Sequence, residues 1–206
     1  VPEAALTDLK ARLANTRWPE RETPEDWSQG IPLAYMKELC AYWRDEYDWR
    51  RCEALLNYWP QFETVIDGVS IQFMHIRSPV PTARPLVMTH GWPGSVIEFL
   101  KVVGPLTDPA AHGGDPADAF HVVCPSLPGF GFSGKPTAPG WTIERIGAAW
   151  GVLMARLGYP RYFAQGGDWG SAVTHSIAMT EAANCDGIHT NMPLVSPTAD
   201  SRDDLT

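Results

Sequence analysis

From residue 86 onward, short apolar segments alternate with longer segments that have helical periodicity. Such alternation favours a parallel sheet, because each helix carries the chain back across the sheet to start the next strand. The expected strands cover 86–89, 120–124, 162–165 and 187–190, and the expected helices cover 95–106, 142–158 and 170–183. The alternation therefore predicts an α/β fold with a mostly parallel sheet and helices on both of its faces.

The chain before this alternation divides into a helical part and a hairpin. Apolar residues at helical spacing predict helices at 3–15, 33–47 and 50–58. Around the turn dipeptide Asp67-Gly68 the apolar pattern changes to a period of two residues, which predicts a β-hairpin. We therefore assign 1–60 to a helical N-terminal segment and 61–206 to the α/β core.

The composition of the 206 residues excludes several classes of protein. A formal net charge of −8 without a basic cluster argues against nucleic acid as a partner, and no apolar segment is long enough to span a membrane. The first residues lack the basic and apolar regions of a signal peptide. The four cysteines form no CxxC pair, so we expect buried free thiols, no metal site and a reducing, cytoplasmic compartment.

The strongest local signal of chemistry lies between a predicted strand and a predicted helix. There Asp168 stands between Gly166 and Gly170 in a Gly-x-Asp-x-Gly pattern. This is the nucleophile-elbow arrangement with Asp instead of Ser, in which small neighbours allow a sharp, strained turn that lifts the central side chain above the sheet. Asp168 is therefore a candidate nucleophile. The alternative is an ordinary strand–helix turn whose aspartate caps the helix.

A second signal, HGWPGS at 90–95, directly follows the predicted strand 86–89. In this topology the loop stands beside the elbow, and backbone N–H groups at the start of a helix attract negative charge. The N–H of Trp92 and the N–H of Trp169 are therefore candidate donors of an oxyanion hole.

His90 opens this loop and allows three interpretations. A residue that ties the loop together by hydrogen bonds is favoured over a catalytic base, and both stay open. A metal-ligand role is dismissed, because no second ligand stands at a suitable spacing. We expect His90, Gly91 and Pro93, together with Gly166 and Gly170, to shape the site rather than to react.

A third glycine-rich segment, 129–134, matches the dinucleotide-binding pattern GxGxxG. The next predicted helix begins eight residues after its last glycine, so a bound phosphate would not meet a helix N-terminus. A loop that lines a pocket is the better interpretation, and Phe130 then joins Trp92 and Trp169 as a candidate substrate-binding residue. We predict neither a cofactor nor a metal.

Four motifs in this order resemble the microsomal-type epoxide hydrolases of the α/β-hydrolase superfamily, a group that includes the juvenile-hormone epoxide hydrolases. The motifs are HGWPGS (90–95), CPSLPGFGFS (124–133), RLGYPRYFAQGGDWGS (156–171) and HTNMPL (189–194). The earlier sequence, with RWP at 17–19 and the stretch 55–76, resembles the helical segment that precedes the hydrolase core in that group. The resemblance spans nearly the whole chain, and the combination of motifs is specific.

The resemblance implies an enzyme that opens an epoxide to a vicinal diol without a cofactor. Asp168, ionised at neutral pH because the pKa of a carboxyl lies near 4, would attack an epoxide carbon and form an alkyl ester. The amides of Trp92 and Trp169 would hold the oxyanion when water attacks that ester. The implied partners are a small-molecule epoxide and water.

In this family the cap with its two tyrosines, the base histidine and its acid partner follow the sixth strand. We therefore expect them beyond Thr206, and we interpret 61–206 as the N-terminal half of an α/β-hydrolase core whose C-terminal half belongs to the same enzyme. From Pro197 onward no pattern indicates an element. The isolated chain is expected to be incomplete, and a homo-oligomer stays open.

Two other functions compete with this interpretation. A haloalkane dehalogenase uses a similar elbow and loop, but members of that family commonly carry a halide-binding Asn where Trp92 stands. A catalytically inactive binding protein on the same fold is the second alternative. The presence of Asp168 and of the complete loop motif argues against it.

Overall fold

The computed structural model describes residues 1–193 and divides the chain into two compact units, Val1–Asn57 and the part from Tyr58 onward. The final residue of the HTNMPL motif and the stretch from Pro197, for which no element is predicted, lie outside the described residues.

The first unit contains the three predicted helices. They are α1 (Glu3–Ala14), α2 (Leu33–Asp45) and α3 (Trp49–Asn57). The Arg50 guanidinium of α3 donates to a carboxylate oxygen of Glu3 at 2.9 Å and to one of Glu53 at 2.8 Å. It also donates to the carbonyl oxygen of Val1, which precedes α1. These charged contacts join the beginning of the chain to α3. The helical prediction for this part of the chain is confirmed.

The second unit is built on a six-stranded sheet in the order β1-β2-β4-β3-β5-β6. Its strands are β1 (Gln61–Ile66), β2 (Val69–Ile76), β3 (Arg84–Thr89), β4 (Phe120–Pro125), β5 (Tyr162–Gly166) and β6 (Cys185–Thr190). The hairpin β1–β2 is antiparallel and β2 is antiparallel to β4, whereas β4, β3, β5 and β6 run parallel. The mostly parallel α/β sheet and the hairpin at Asp67-Gly68 are therefore confirmed.

The helices of the second unit lie where they were predicted, except that one predicted helix is divided into a 3₁₀ turn and an α-helix. They are α4 (Leu100–Thr107), α5 (Ile143–Arg156) and α6 (Trp169–Thr180). The segment predicted as one helix at 95–106 instead starts with a 3₁₀ turn, Val96–Phe99, at whose beginning the Ser95 hydroxyl accepts from the N–H of Ile97. Tight 3₁₀ turns are frequent where an α-helix begins.

The predicted loop between α4 and β4 contains two short 3₁₀ turns that the pattern did not indicate. They cover Pro109–His112 and Pro116–Asp118. In each, an aspartate precedes the first proline, and its carboxylate accepts a backbone N–H: Asp108 from Ala111 and Asp115 from Ala117. An Asp-Pro pair provides both the side-chain cap and a fixed φ, which explains a turn at each place.

The buried core lies between the sheet and α5 and α6. Trp150 of α5 is fully buried among side chains from the central strands, including Val87 and Val123. Its indole N–H donates to the Thr89 hydroxyl at 3.1 Å, so the one polar atom of this large side chain has a buried partner. The carboxyl ends of β3 and β5 lie side by side, with Thr89 paired to Gly166, and they position the loops discussed below.

The four cysteines are free thiols. Cys124, on the central strand β4, is buried, and this burial raises the pKa of its thiol. Cys40, Cys52 and Cys185 are only half-buried, so the expectation of buried thiols is wrong for these three. Cys185 lies on the edge strand β6, and α2, which carries Cys40, has no buried residue.

None of the helices in the described part of the chain has the length and apolar character needed to span a membrane. Among residues 1–193, no three His, Cys, Asp or Glu side chains are grouped so that they could hold a metal ion.

The start of α6 approaches the end of β3 so closely that only glycine fits. A Cβ atom on Gly170 would lie 1.9 Å from the carbonyl oxygen of Thr89, and a Cβ atom on Gly166 would lie 2.0 Å from the carbonyl oxygen of Gly170. Because both obstacles are backbone atoms, no side-chain movement can relieve the clash.

We therefore expect Gly170→Ala to lower the free energy of unfolding by about 3 kcal/mol or more, since α6 must move away from β3. Gly151→Ala is the matched control: it is also a helix glycine, but its new methyl group would meet only the end of the flexible Glu181 side chain, at 3.1 Å. The control is expected to stay within about 1 kcal/mol of the parent. Urea unfolding of both variants measures the difference, and equal midpoints would contradict the close approach.

Two histidines pack around one tyrosine on the hairpin side of the sheet. His75 is buried, its Nε2 lies 2.9 Å from the Tyr159 hydroxyl, and the Tyr159 ring stacks on His121. Nδ1 of His121 accepts the N–H of Ser78 at 3.0 Å, so this nitrogen carries no proton. Burial, followed by the positive charge of Arg77, lowers the pKa of His75 to about 4, and the same causes lower the pKa of His121.

These shifts predict that acid destabilises the protein. Below pH 6.5 the unfolded chain binds protons that the folded chain excludes, so the free energy of unfolding should decrease as the pH falls from about 6.5 toward 4. His75→Gln is expected to remove about 1 kcal/mol of the difference in stability between pH 7 and pH 5. Urea unfolding at both pH values tests this, with His189→Gln, a change at an exposed histidine, as the control. An unchanged pH slope in His75→Gln would refute the assignment.

Candidate active site

Asp168 occupies the sharp turn between β5 and α6. Its backbone has φ 53° and ψ −126°, a conformation that L residues rarely adopt. The two close glycine contacts at Gly166 and Gly170 leave the chain no wider path from strand to helix. The carboxylate does not form the side-chain cap of α6, in which it would accept an N–H from further inside the helix. The turn therefore holds this side chain at the carboxyl edge of the sheet, and the alternative of an ordinary capping aspartate is not supported.

The loop 90–95 brings a backbone donor to this carboxylate. The N–H of Trp92 donates to Oδ1 of Asp168 at 2.8 Å, and the N–H of Trp169 is a second donor to the same carboxylate. These two hydrogen bonds, with that of Trp92 the stronger influence, hold the pKa of Asp168 below its usual range. A Cβ on Gly91 would lie 2.5 Å from the Asp168 side chain, so the loop can lie this close only with glycine there. The two predicted donors thus converge on the predicted nucleophile.

His90 is fully buried beneath the loop. Its Nδ1 lies 2.9 Å from the carbonyl oxygen of Gly91, and its Nε2 accepts the N–H of Leu127 at 3.1 Å. Burial lowers the pKa of this histidine. The side chain therefore holds the loop 90–95 to the loop after β4 by hydrogen bonds, which is the role that the sequence analysis favoured. Its accepting nitrogen already has a donor, so it is not free to act as a base.

Glu98 is a site residue that sequence reasoning missed. One oxygen of its carboxylate accepts the N–H of Gly91 at 3.3 Å, and a Cβ on Gly94 would lie 2.9 Å from that oxygen. Desolvation, followed by the negative charge of Asp168, raises the pKa of Glu98. The pattern Ser95-x-x-Glu98 has the spacing of a capping box, and this was the sequence signal that could have identified Glu98. In the structure, however, the carboxylate reaches back past the start of the helix to the loop.

Asn191, which follows β6, was missed as well. A Cβ on Gly167 would lie 2.5 Å from its side-chain oxygen, so Asn191 borders the elbow on the side of the edge strand. The two other histidines of this region have different surroundings: Nδ1 of His175 pairs with the carbonyl of Ser171 on its own helix, and His189 is exposed on β6. No sequence signal distinguishes Asn191 from other polar residues that follow a strand.

The loop after β4 is held rigidly against β2. The Ser133 hydroxyl donates to the carbonyl of Ser126 at 2.7 Å and accepts the N–H of Gln72 at 3.0 Å, and the Ser126 hydroxyl donates to the Gln72 side chain at 2.6 Å. All three residues are buried. This polar network explains why the GxGxxG match at 129–134 is a compact turn.

The predicted substrate-binding residues are only partly brought together. Phe130 and Trp169 line one cavity of about 420 Å³, together with Trp141 and other apolar side chains. Trp92 does not line this cavity, and the residue is 64% exposed. The Phe130 ring also lies edge-on to His90, with 5.6 Å between ring centroids. The structure thus provides an apolar wall next to the elbow and an exposed indole on the facing loop.

Comparison with known proteins places both parts of the chain in described families. Residues 1–99 match the family described as epoxide hydrolase N terminus, and residues 84–205 match the alpha/beta hydrolase fold family. A Stigmatella aurantiaca protein whose name assigns it to the epoxide hydrolases is 61% identical over 96% of this chain and 45% of its own length. Epoxide hydrolase 1 of Oryctolagus cuniculus is 38% identical over 92% of this chain and 43% of its own length.

The fold agrees with solved structures as well. Aspergillus niger epoxide hydrolase has a TM-score of 0.84 and 31% identity, covering 98% of this chain and 54% of its own. The chain spans about half the length, or slightly less, of the relatives and structures that it matches. The resemblance to the microsomal-type epoxide hydrolases is thereby confirmed. The chain belongs to the alpha/beta hydrolase fold family, and its residues 1–99 match the family described as epoxide hydrolase N terminus.

Proposed function

We propose that the full-length protein opens epoxides to vicinal diols through an ester on Asp168. The observation that carries this proposal is the orientation of the carboxylate: Oδ1 accepts the N–H of Trp92 at 2.8 Å, so we assign Oδ2 as the attacking oxygen. The epoxide hydrolase relatives and the N-terminal family match support the same chemistry.

In the first step, Oδ2 of Asp168 attacks an epoxide carbon opposite to its C–O bond. The new C–O ester bond forms as the epoxide C–O bond breaks, and the released alkoxide takes a proton from an acid outside the described residues, a role that the resemblance gives to tyrosines of the cap. The low pKa of Asp168 keeps the nucleophile ionised, so this step needs no base on the nucleophile.

In the second step, water attacks the carbonyl carbon of the ester. The negative charge then develops on Oδ1, the oxygen that already accepts the N–H of Trp92, while the N–H of Trp169 donates to the same carboxylate. Donors that are in place before the charge forms stabilise it without reorganisation, which is the property of an oxyanion hole. Collapse of this intermediate releases the diol and restores the carboxylate. The base that activates the water belongs to the C-terminal half of the same enzyme in this proposal.

The substrate is an epoxide with an apolar substituent. Phe130 and Trp169 line the cavity beside the elbow, and their rings are suited to an alkyl or aromatic group. The exposed Trp92 indole offers a second apolar contact on the facing loop. The reaction requires only a carboxylate, backbone donors, water and proton transfer, so the proposed enzyme needs no cofactor.

Asp168→Ala in the full-length protein is expected to lower diol formation by at least about a thousandfold, because the attacking atom is removed. Asp168→Asn should regain activity only slowly, as the amide is hydrolysed to the acid. Asp67→Asn is the matched control, since Asp67 also has a positive φ, of 49°, but lies in the β1–β2 turn. Turnover of a simple aromatic epoxide, followed by chromatography of the diol, measures these rates.

A single turnover in H₂¹⁸O distinguishes the ester route from direct attack by water. In the ester route the first diol molecule contains no ¹⁸O, because its new oxygen comes from Asp168, and the label appears in the Asp168 carboxylate. Mass spectrometry of the diol and of the peptide that contains Asp168 reads both positions. Label in the first-turnover diol would overturn the proposed mechanism.

A further inference from the structure

We infer that His90 is a positioning residue for the second half-reaction, because its ring N–H binds the far end of the peptide whose N–H donates to Asp168. This inference rests on the proposed function, since it concerns the oxyanion donor of Trp92. It assigns His90 a role beyond fastening the loop.

The hydrogen bonds around His90 determine its tautomer. The N–H of Leu127 can only donate, so Nε2 must be the accepting, unprotonated nitrogen at 3.1 Å. The carbonyl of Gly91 can only accept, so Nδ1 must carry the proton across the 2.9 Å contact. The side chain is fully buried, so water does not compete for either nitrogen. His90 therefore stands as a neutral imidazole with one fixed donor.

The carbonyl of Gly91 and the N–H of Trp92 belong to the same peptide group. A continuous series of hydrogen bonds thus runs from Leu127 through His90 and this peptide to Oδ1 of Asp168, and every donor in it points the same way. A donor at the carbonyl end draws electron density from the peptide and strengthens the hydrogen bond that its N–H makes. The same bond also fixes the plane of the peptide, and hence the direction of the N–H.

The two half-reactions respond to this peptide in opposite ways. During attack on the epoxide, Oδ1 loses negative charge, so a stronger N–H gives no advantage. During hydrolysis of the ester, Oδ1 gains a full negative charge, so a stronger and better aligned N–H accelerates the step. Loss of the His90 donor should therefore slow hydrolysis of the ester selectively, and the ester should accumulate.

The two amide substitutions at position 90 separate the two ends of the imidazole. The side-chain nitrogen of His90→Asn can replace Nδ1 and keep the donor to Gly91, whereas the side-chain amide of His90→Gln reaches the place of Nε2 and keeps an acceptor for Leu127. We expect His90→Gln to slow ester hydrolysis about tenfold or more while ester formation changes by less than about threefold. In His90→Asn, ester hydrolysis should stay within about threefold of the parent.

Rapid-quench mass spectrometry of the full-length protein gives both rates, since it follows the ester on Asp168 as it forms and decays. His75→Gln serves as the control for loss of a buried histidine, because His75 lies on β2 with Tyr159 as its partner. Urea unfolding of the variants shows whether each one is folded. Equal slowing of both half-reactions by His90→Gln, or the same partition in His90→Asn and His90→Gln, would overturn the inference.

A measurement that does not depend on turnover tests the effect of His90 on Trp92 even if no ester forms on Asp168. In full-length protein labelled with ¹⁵N-tryptophan, the amide proton of Trp92, assigned by its loss in Trp92→Phe, should move upfield in His90→Gln and stay in place in His90→Asn. An unmoved signal in His90→Gln would refute the coupling through the peptide. If the parent protein forms no ester on Asp168, the proposed function fails, and the amide signal alone then decides whether His90 acts on Trp92.

Discussion

The contact between the start of α6 and the carbonyl of Thr89 is the constraint on which the site depends. With Gly170 packed directly against that backbone, the chain leaves β5 through a single strained residue, and Asp168 occupies it. The carboxylate then lies so close to the loop 90–95 that only a glycine fits at position 91. Backbone contact, rather than side-chain packing, thus sets the distance between the Asp168 carboxylate and the Trp92 amide.

The sequence predicts most of the fold because the patterns are local. Apolar patterns indicated every strand of the sheet. Local residues also define both ends of α5, because the Thr142 hydroxyl accepts the N–H of Arg145 and Gly158 has φ 84°. The two 3₁₀ turns between α4 and β4 were missed, since their Asp-Pro signals lie in a segment without apolar periodicity. The half-buried cysteines were misjudged because burial depends on which elements pack together.

The candidate site was predictable as chemistry and less so as geometry. Asp168 and the amides of Trp92 and Trp169 follow from motif and topology, but the partners of His90 and Glu98 do not. His90 meets Leu127 across 37 positions of sequence, and Glu98 turns back to Gly91 instead of closing a capping box. No local pattern encodes such pairs; they depend on how two loops end up facing each other above the sheet.

Thr89 connects the interior of the second unit to the edge of the sheet where Asp168 lies. Its hydroxyl receives the indole N–H of Trp150, while its carbonyl oxygen abuts the second residue of α6. Repacking around Trp150 therefore moves the same residue that sets the turn at Asp168. Stability and the geometry of the candidate site therefore depend on the same residue. Neutral substitution of the interior is restricted near this tryptophan, and a redesign of that region must treat Trp150 as a part of the candidate site.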